Sequence, residues 1–366
     1  MFRLLAQKGK ARRGQLALPH GVVETPCFMP IATKGAVRTL TPQDLKEVGT
    51  QIVLSNTYHL LLRPGHETMQ ALGGLHALMG WDKPILTDSG GYQVFSLSKL
   101  NKTTEEGVAF QSHLDGSRIF LTPESSMEMQ QVIGADIVMC FDDVAEGGAA
   151  RERQEEAMER SLRWAARCKQ VMNTSHSQKL FGIVQGGTHE DLRARSLQGL
   201  RKIGFDGYAI GGLSVGEPRQ DAYRIVSFLS DRLPKEAPCY FMGGGMPEEI
   251  VFYVSQGVDL FDCVLPSRNA RHGLLFTWAQ DPTQVDWSVC PTDFYQKMHI
   301  TNETHRLDLS SIDPWCDCFA CRTCSRAYLH HLFRVGEFSA LRLATIHNLR
   351  FYHRLLEALR EQMAKE

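Results

Sequence analysis

Seven times along the chain, a short apolar run stops abruptly at a polar residue or a glycine pair. Ile52-Val53-Leu54 ends at Ser55-Asn56, and Ile85-Leu86-Thr87 ends at Asp88-Ser89-Gly90-Gly91. Ile137 to Phe141 meets Asp142-Asp143, and Leu180 to Val184 meets Gln185-Gly186-Gly187. Tyr208-Ala209-Ile210 meets Gly211-Gly212, Cys239 to Met242 meets Gly243-Gly244-Gly245, and Leu260-Phe261 meets Asp262. Between these runs lie stretches of helical periodicity: Arg151 to Val171, Asp191 to Ile203, Arg219 to Leu233 and Pro247 to Gln256. Short runs that are apolar throughout read as strands covered on both faces, and their alternation with helices makes βα units in a parallel sheet. So many units, with no G-x-G-x-x-G after a first strand, predict an α/β fold of the (β/α)8 barrel type rather than an open doubly wound sheet.

Barrel active sites lie at the C-terminal ends of the strands. The residues that end the runs are therefore the candidates: Asp88, Asp142, Gln185, Gly211, Gly212 and Asp262. One Asp or Gly after a strand is ordinary turn chemistry; several converging on one barrel mouth are a site. Asp88 and Asp262 suit chemistry at an acetal-like carbon, where one carboxylate acts as nucleophile and a second group manages the proton. The glycine pairs at 90–91, 186–187 and 211–212 let a flat ligand approach backbone donors. Gln185 supplies an amide, and Tyr92 and Met242 supply stacking surfaces, so the slot suits a purine-like base. Asp143 competes with Asp142 as the reader, Asp136 reads as structural, and Asp115-Gly116 beside His113 reads as a hairpin turn.

Composition narrows the class. Of 366 residues, 40 are Lys or Arg and 41 are Asp or Glu, so the net charge of −1 excludes a protein coated in basic residues. No apolar run approaches the roughly 18–20 residues needed to span a bilayer. The opening Met1 to Arg13 has too short an apolar patch for a signal peptide, and the expected location is cytoplasmic. Six of the ten cysteines are scattered, which suits reduced thiols in a cytosol. The other four, Cys316, Cys318, Cys321 and Cys324, form C-x-C-x2-C-x2-C with His330, His331 and His347 downstream. A redox C-x-x-C has no extra C-x-C in front of it, so the cluster reads as a zinc site. Spacing leaves the fourth ligand open between Cys324 and a histidine.

Asp88-Ser89-Gly90-Gly91-Tyr92-Gln93, Gln185-Gly186-Gly187, Ala209-Ile210-Gly211-Gly212-Leu213 and Phe261-Asp262-Cys263-Val264-Leu265-Pro266, followed by Arg268 and Arg271, resemble the tRNA-guanine transglycosylases. Thr25-Pro26-Cys27-Phe28-Met29-Pro30 with Lys34-Gly35 fits too, and the resemblance runs from about Ala11 to Tyr352. It implies a barrel with a C-terminal zinc-binding subdomain and exchange of the anticodon wobble guanine of tRNA for a 7-deazaguanine. It makes Asp262 the nucleophile at the ribose C1′ and Asp88 the general acid/base. Asp142, Gln185, Gly212 and Leu213, beside Gly211, read the base edge in this resemblance, and Tyr92 and Met242 sandwich its ring. The metal ligands become Cys316, Cys318, Cys321 and His347, around one structural zinc per subunit of a homodimer.

The expected organisation is a barrel over 1–275, an insertion and zinc-binding subdomain over 276–345, and a C-terminal helix over 346–366 on the barrel. Cys263 to Leu275 carries Arg268, Arg271 and His272 without an acid, and Cys318 to Val335 is likewise acid-free, as phosphate contacts require. Two departures from the family pattern stand out: Cys324, and a longer segment between Thr277 and His299. Val215 resembles enzymes that take preQ1, which makes preQ1 the expected incoming base. Val144 resembles those that take queuine, the alternative. No C-terminal extension of the archaeal RNA-binding kind is recognisable, which argues against archaeosine synthesis. Two rivals are a non-catalytic partner subunit, which would be expected to lose Asp88 or Asp262, and a barrel glycoside hydrolase, which would not call for the zinc cluster.

Overall fold

The computed structural model describes residues 2–97, 101–172 and 177–364. An N-terminal antiparallel sheet is formed by β1 (Phe2–Lys8), β2 (Ala11–Leu18) and β3 (Gly21–Thr25). The chain then enters the barrel with β4 (Cys27–Met29), β5 (Val53–Ser55) and β6 (Ile85–Thr87). A small antiparallel excursion follows: β7 (Asn101–Thr103), β8 (Val108–Gln111) and β9 (Arg118–Leu121). Next come β10 (Ile137–Met139), β11 (Lys179–Val184), β12 (Gly207–Ile210), β13 (Cys239–Phe241) and β14 (Leu260–Asp262).

The parallel sheet has 8 strands in the order β4-β14-β13-β12-β11-β10-β6-β5. Just beyond β4, Ile31 bridges Leu54 in parallel, and Ala32 N donates to Leu54 O at 2.6 Å, so the last strand meets the first. The (β/α)8 barrel is thereby formed. The eighth strand is β4, whose three residues between Pro26 and Pro30 make no conspicuous run.

Alternation along the strands sorts the core into two layers. Met29, Leu54, Leu86, Phe181, Ile183 and Leu260 belong to the inner cluster, together with Phe2, Leu16 and Val23 of the N-terminal sheet. That sheet therefore closes the N-terminal end of the barrel. Phe28, Val53, Ile85, Leu180, Ile210 and Phe261 face outward to the helices. At the closed end, Asp136 accepts from His20 N at 2.9 Å and from Ile85 N at 2.9 Å, a structural role.

The four periodic helices lie at Arg151–Met172, Glu190–Ile203, Arg219–Ser230 and Pro247–Ser255. The third stops three residues short of Leu233, because Pro234 disfavours helical geometry just before it. After β14, the segment from 277 to 299 folds as a hairpin of β15 (Leu274–Trp278) and β16 (Tyr295–His299). Its loop packs back through Trp278, Trp287 and Phe294 as an aromatic cluster. The closing helix runs unbroken over Phe338–Ala364 and packs against β1, β2, β4 and the helix Pro247–Ser255.

Candidate active site

The pleat that fills the barrel also builds its mouth. Two residues beyond inward-facing Leu54, Leu86, Ile183, Ala209, Tyr240 and Leu260 stand Asn56, Asp88, Gln185, Gly211, Met242 and Asp262. The period of two carries each side chain inward again, now past the last apolar layer. The polar endings of the sequence runs thus share one face.

Asp88 and Asp262 are both buried there. Oδ1 of Asp88 accepts from Thr57 N at 2.9 Å and Gly90 N at 3.2 Å; Oδ2 accepts from Gln93 Nε2 at 2.8 Å and from the Asn56 amide. Burial pushes its carboxyl up to about 6, helped by the negative charge of Asp262 and opposed by these donors. Asp262 Oδ1 accepts from the Tyr240 hydroxyl at 2.6 Å and Gly243 N at 2.8 Å. Burial raises this carboxyl too, while Tyr240 and Gly243 favour its charged form. The result is one carboxyl raised toward neutrality, within the field of a second that fixed donors aim.

Across the mouth, Asp142 accepts from Ser89 Oγ at 3.0 Å and from Gln185 Nε2 at 2.7 Å. Burial lifts Asp142 to about 6, with the charges of Asp143 and Asp88 adding to the rise. Asp143 points away: Arg153 and Arg160 hold its carboxylate, with Arg153 Nη1 at 2.9 Å. The geometry therefore separates two neighbours that the sequence could not. A side chain at Gly91 would meet Asp142 O at 2.7 Å, and one at Gly211 would meet Ile183 Cγ2 at 2.5 Å. Gly212 has φ +61° and lies against the Gln185 amide, so only glycine fits. Leu213 buries its side chain in the outer layer and offers the mouth only its main chain. Met242 packs on the inner layer, while Tyr92 is 48% exposed at the start of the helix Gly91–Leu97. His113 Nδ1 lies 2.9 Å from the Tyr58 hydroxyl, and Asp115 closes its hairpin turn by accepting from Ser117 N at 3.1 Å.

Two contributors escape sequence reasoning. Arg193 reads as one more cation on an amphipathic helix, yet it is fully buried beneath the glycine loops. Arg38 lies far from Arg268 and Arg271 in sequence, yet its charge and that of Arg268 bear on Arg271, whose guanidinium is held below its ordinary value by burial first and these cations next. Arg268 and Arg271 end the short helix Leu265–Arg271 that follows Asp262. Arg38 and Arg268 are exposed, and among the described residues none of the three cations is ion-paired.

The ligand atoms of Cys316, Cys318, Cys321 and His347 all lie within 4.8 Å of one another, and Cys324 is outside this group. His347 Nε2 faces Phe276 O at 2.8 Å, which leaves Nδ1 turned to the thiols, 3.1 Å from Cys321 Sγ. A ring nitrogen fixed by a carbonyl, with the other facing three sulfurs, fits a tetrahedral metal ion. His20, His76 and Asp136 also cluster, but the two rings stack with centroids 3.6 Å apart and planes inclined by 18°. Near-parallel planes so spaced cannot both contain one ion at bonding distance, so this trio is a hydrogen-bonded brace rather than a chelate.

A closed parallel barrel whose mouth gathers buried, mutually perturbed carboxyl groups and a glycine-lined slot defines a barrel enzyme. The sequence model of the family described as queuine tRNA-ribosyltransferase matches residues 7–366. Similar proteins carrying the name queuine tRNA-ribosyltransferase include one from Acinetobacter baylyi, 51% identical over 99% of this chain and 90% of the relative. Others come from Pseudomonas aeruginosa, 52% identical, and Azotobacter vinelandii, 53% identical, each over 98% of this chain and 92% of the relative. The chain belongs to the queuine tRNA-ribosyltransferase family, and it is a pentosyltransferase.

Proposed function

We propose that this enzyme exchanges the wobble guanine in the anticodon of tRNA for a 7-deazaguanine, with preQ1 as the incoming base, in queuosine biosynthesis. The observation that carries the reading is the pair of buried carboxyl groups, Asp88 and Asp262, on one barrel mouth and within each other's field. In the first half-reaction, an Asp262 oxygen attacks C1′ of the ribose and the bond from C1′ to the guanine nitrogen breaks. The departing base keeps that electron pair and takes a proton from Asp88. In the second, Asp88 removes a proton from the entering base, whose nitrogen attacks C1′ and releases Asp262. Two displacements retain the configuration at C1′. Asp142, Gln185, Gly212 and Leu213 read the edge of a base flipped out of the anticodon loop, beside Gly211, and Tyr92 and Met242 cover its faces. Arg268 and Arg271 meet the phosphates, joined by Arg38.

A zinc ion held by Cys316, Cys318, Cys321 and His347 is structural in this reading, because four protein ligands leave no open position. The barrel spans 1–275, the insertion and metal-binding subdomain 276–345, and the last part 346–366, of which the described residues to Ala364 end the helix begun at Phe338. Exposed Leu307, Leu309, Trp315, Phe319 and Tyr328 supply an apolar surface for a homodimer. Queuine is the second candidate base, supported by Val144 beside Asp142-Asp143. The test incubates the enzyme with tRNA bearing a wobble guanine and labelled guanine, with preQ1 or queuine as competitor. Label should enter tRNA, preQ1 should compete better, and Asp262→Ala should abolish the exchange. Incorporation that persists in Asp262→Ala would overturn the mechanism.

A further inference from the structure

Arg193 is 0% exposed and, among the described residues, in no ion pair, although the charge of Glu217 bears on it; its guanidinium donates to backbone carbonyls. Nε donates to Gly187 O at 2.8 Å, and Nη1 donates to Val184 O at 2.5 Å and Gly211 O at 2.7 Å. Nη2 donates to Gly212 O at 3.3 Å. Val184 and Gly187 flank the loop after β11 that carries Gln185. Gly211 and Gly212 form the loop after the neighbouring strand β12. One planar fork thus joins two adjacent strand ends, a task for which lysine, a single point of donors, has the wrong shape.

The consequence lies on the other side of those peptides. In a trans peptide the C=O of one residue and the N–H of the next point in opposite directions. With Gly211 O and Gly212 O drawn to Arg193, the amides of Gly212 and Leu213 must point away from it, toward the mouth. Among the described residues neither amide has a protein acceptor. Two oriented donors with no protein acceptor, one on partly exposed Gly212 and one on buried Leu213, offer a ligand two points to accept from.

We propose that Arg193 is a positioning residue: it fixes the Gly211–Gly212 and Gly212–Leu213 peptides so that both amides donate to the acceptor edge of a bound oxo-purine. The proposal rests on the reading of the mouth as a base pocket. It concerns binding of the base and leaves the chemical step to Asp88 and Asp262.

The test has two readouts on the full chain. In Arg193→Lys, KM for guanine should rise about ten-fold or more, as expected for loss of charge-assisted hydrogen bonds that set a site. KM for tRNA, which draws on phosphate contacts as well as on the flipped base, should rise less than KM for guanine, a split that a general loss of stability would not produce. In the wild-type protein, saturating guanine should slow hydrogen exchange at the Gly212 and Leu213 amides by about ten-fold or more. An unchanged KM for guanine in a folded Arg193→Lys, or no protection of these amides, overturns the proposal. If the lysine variant does not fold, Arg193→Gln, which keeps part of the donor set, takes its place, and an unchanged KM for guanine in it overturns the proposal. If wild type transfers no label to tRNA while guanine still protects the two amides, the exchange reading fails and this one stands.

Discussion

The Tyr240 hydroxyl donates to Asp262 Oδ1 across 2.6 Å, from a side chain buried in the innermost layer of the barrel. With Gly243 N on the same oxygen, it holds Oδ1, leaves Oδ2 without a donor among the described residues, and favours the charged form of a buried acid. Tyr240→Phe keeps the ring and removes only the donor. Guanine exchange should fall about 10–100-fold, and the acidic limb of its pH profile should move to higher pH. A wild-type rate and profile would show that Tyr240 merely packs.

Asp142 yields a stability prediction with a definite sign. Burial lifts its carboxyl to about 6, above its unfolded value, so the folded state binds the proton more tightly. The penalty for ionising it is absent below about pH 4, grows as pH rises to about 6, and is constant beyond that. Asp142→Asn keeps an acceptor for Gln185 and can place its amide on Ser89 Oγ. At pH 7.5 the variant should be about 1–2 kcal/mol more stable than wild type, and the gain should vanish near pH 4. Thermal melts across pH check this; equal stability at pH 7.5 would mean that Asp142 is not ionised at a cost.

What the sequence made legible was the part governed by local periodicity. Seven strands announced themselves because each is covered on both faces and stops at a polar residue. The eighth, Cys27–Met29, lies between Pro26 and Pro30 and ends at a proline rather than at a polar residue or a glycine pair. Asp142 and Asp143 are interchangeable on paper. They part because Phe141 turns outward to stack on Trp164, 4.8 Å between ring centroids, so the next residue faces in and the one after faces out. Arg193 could not be told from its exposed helical neighbours, since only the approach of two barrel loops gives it carbonyls to bind. The helical pattern around His347 predicts a core histidine, which it also is, at 0% exposure.

Metal removal should act on stability before chemistry. The Cys316, Cys318, Cys321 and His347 donors tie the loop at 316–321 to the long closing helix and, through His347 Nε2, to β15. Stripping the ion, or His347→Ala, should lower the melting temperature by about 10 °C or more, with metal content falling toward zero. Guanine exchange measured well below the new midpoint should remain within about three-fold of wild type, because no described contact joins these ligands to Asp88 or Asp262. A variant that binds no metal yet melts as wild type would deny the ion a structural role.

The arginines that follow Asp262 form a surface for phosphate to meet. Burial first, and then the nearby charges of Arg38 and Arg268, hold the Arg271 guanidinium below its ordinary value, and no described acid pairs with any of the three. Uncompensated cations at a barrel mouth attract phosphate, and each phosphate contact adds to the salt dependence of binding. Arg268→Glu should weaken tRNA binding about ten-fold or more at low salt and reduce the slope of log affinity against log salt by about one or more. KM for free guanine should change by less than about two-fold, since a neutral base gains nothing from a surface cation. If both affinities fall together, the substitution has damaged the pocket, and the three arginines are not a phosphate-binding surface.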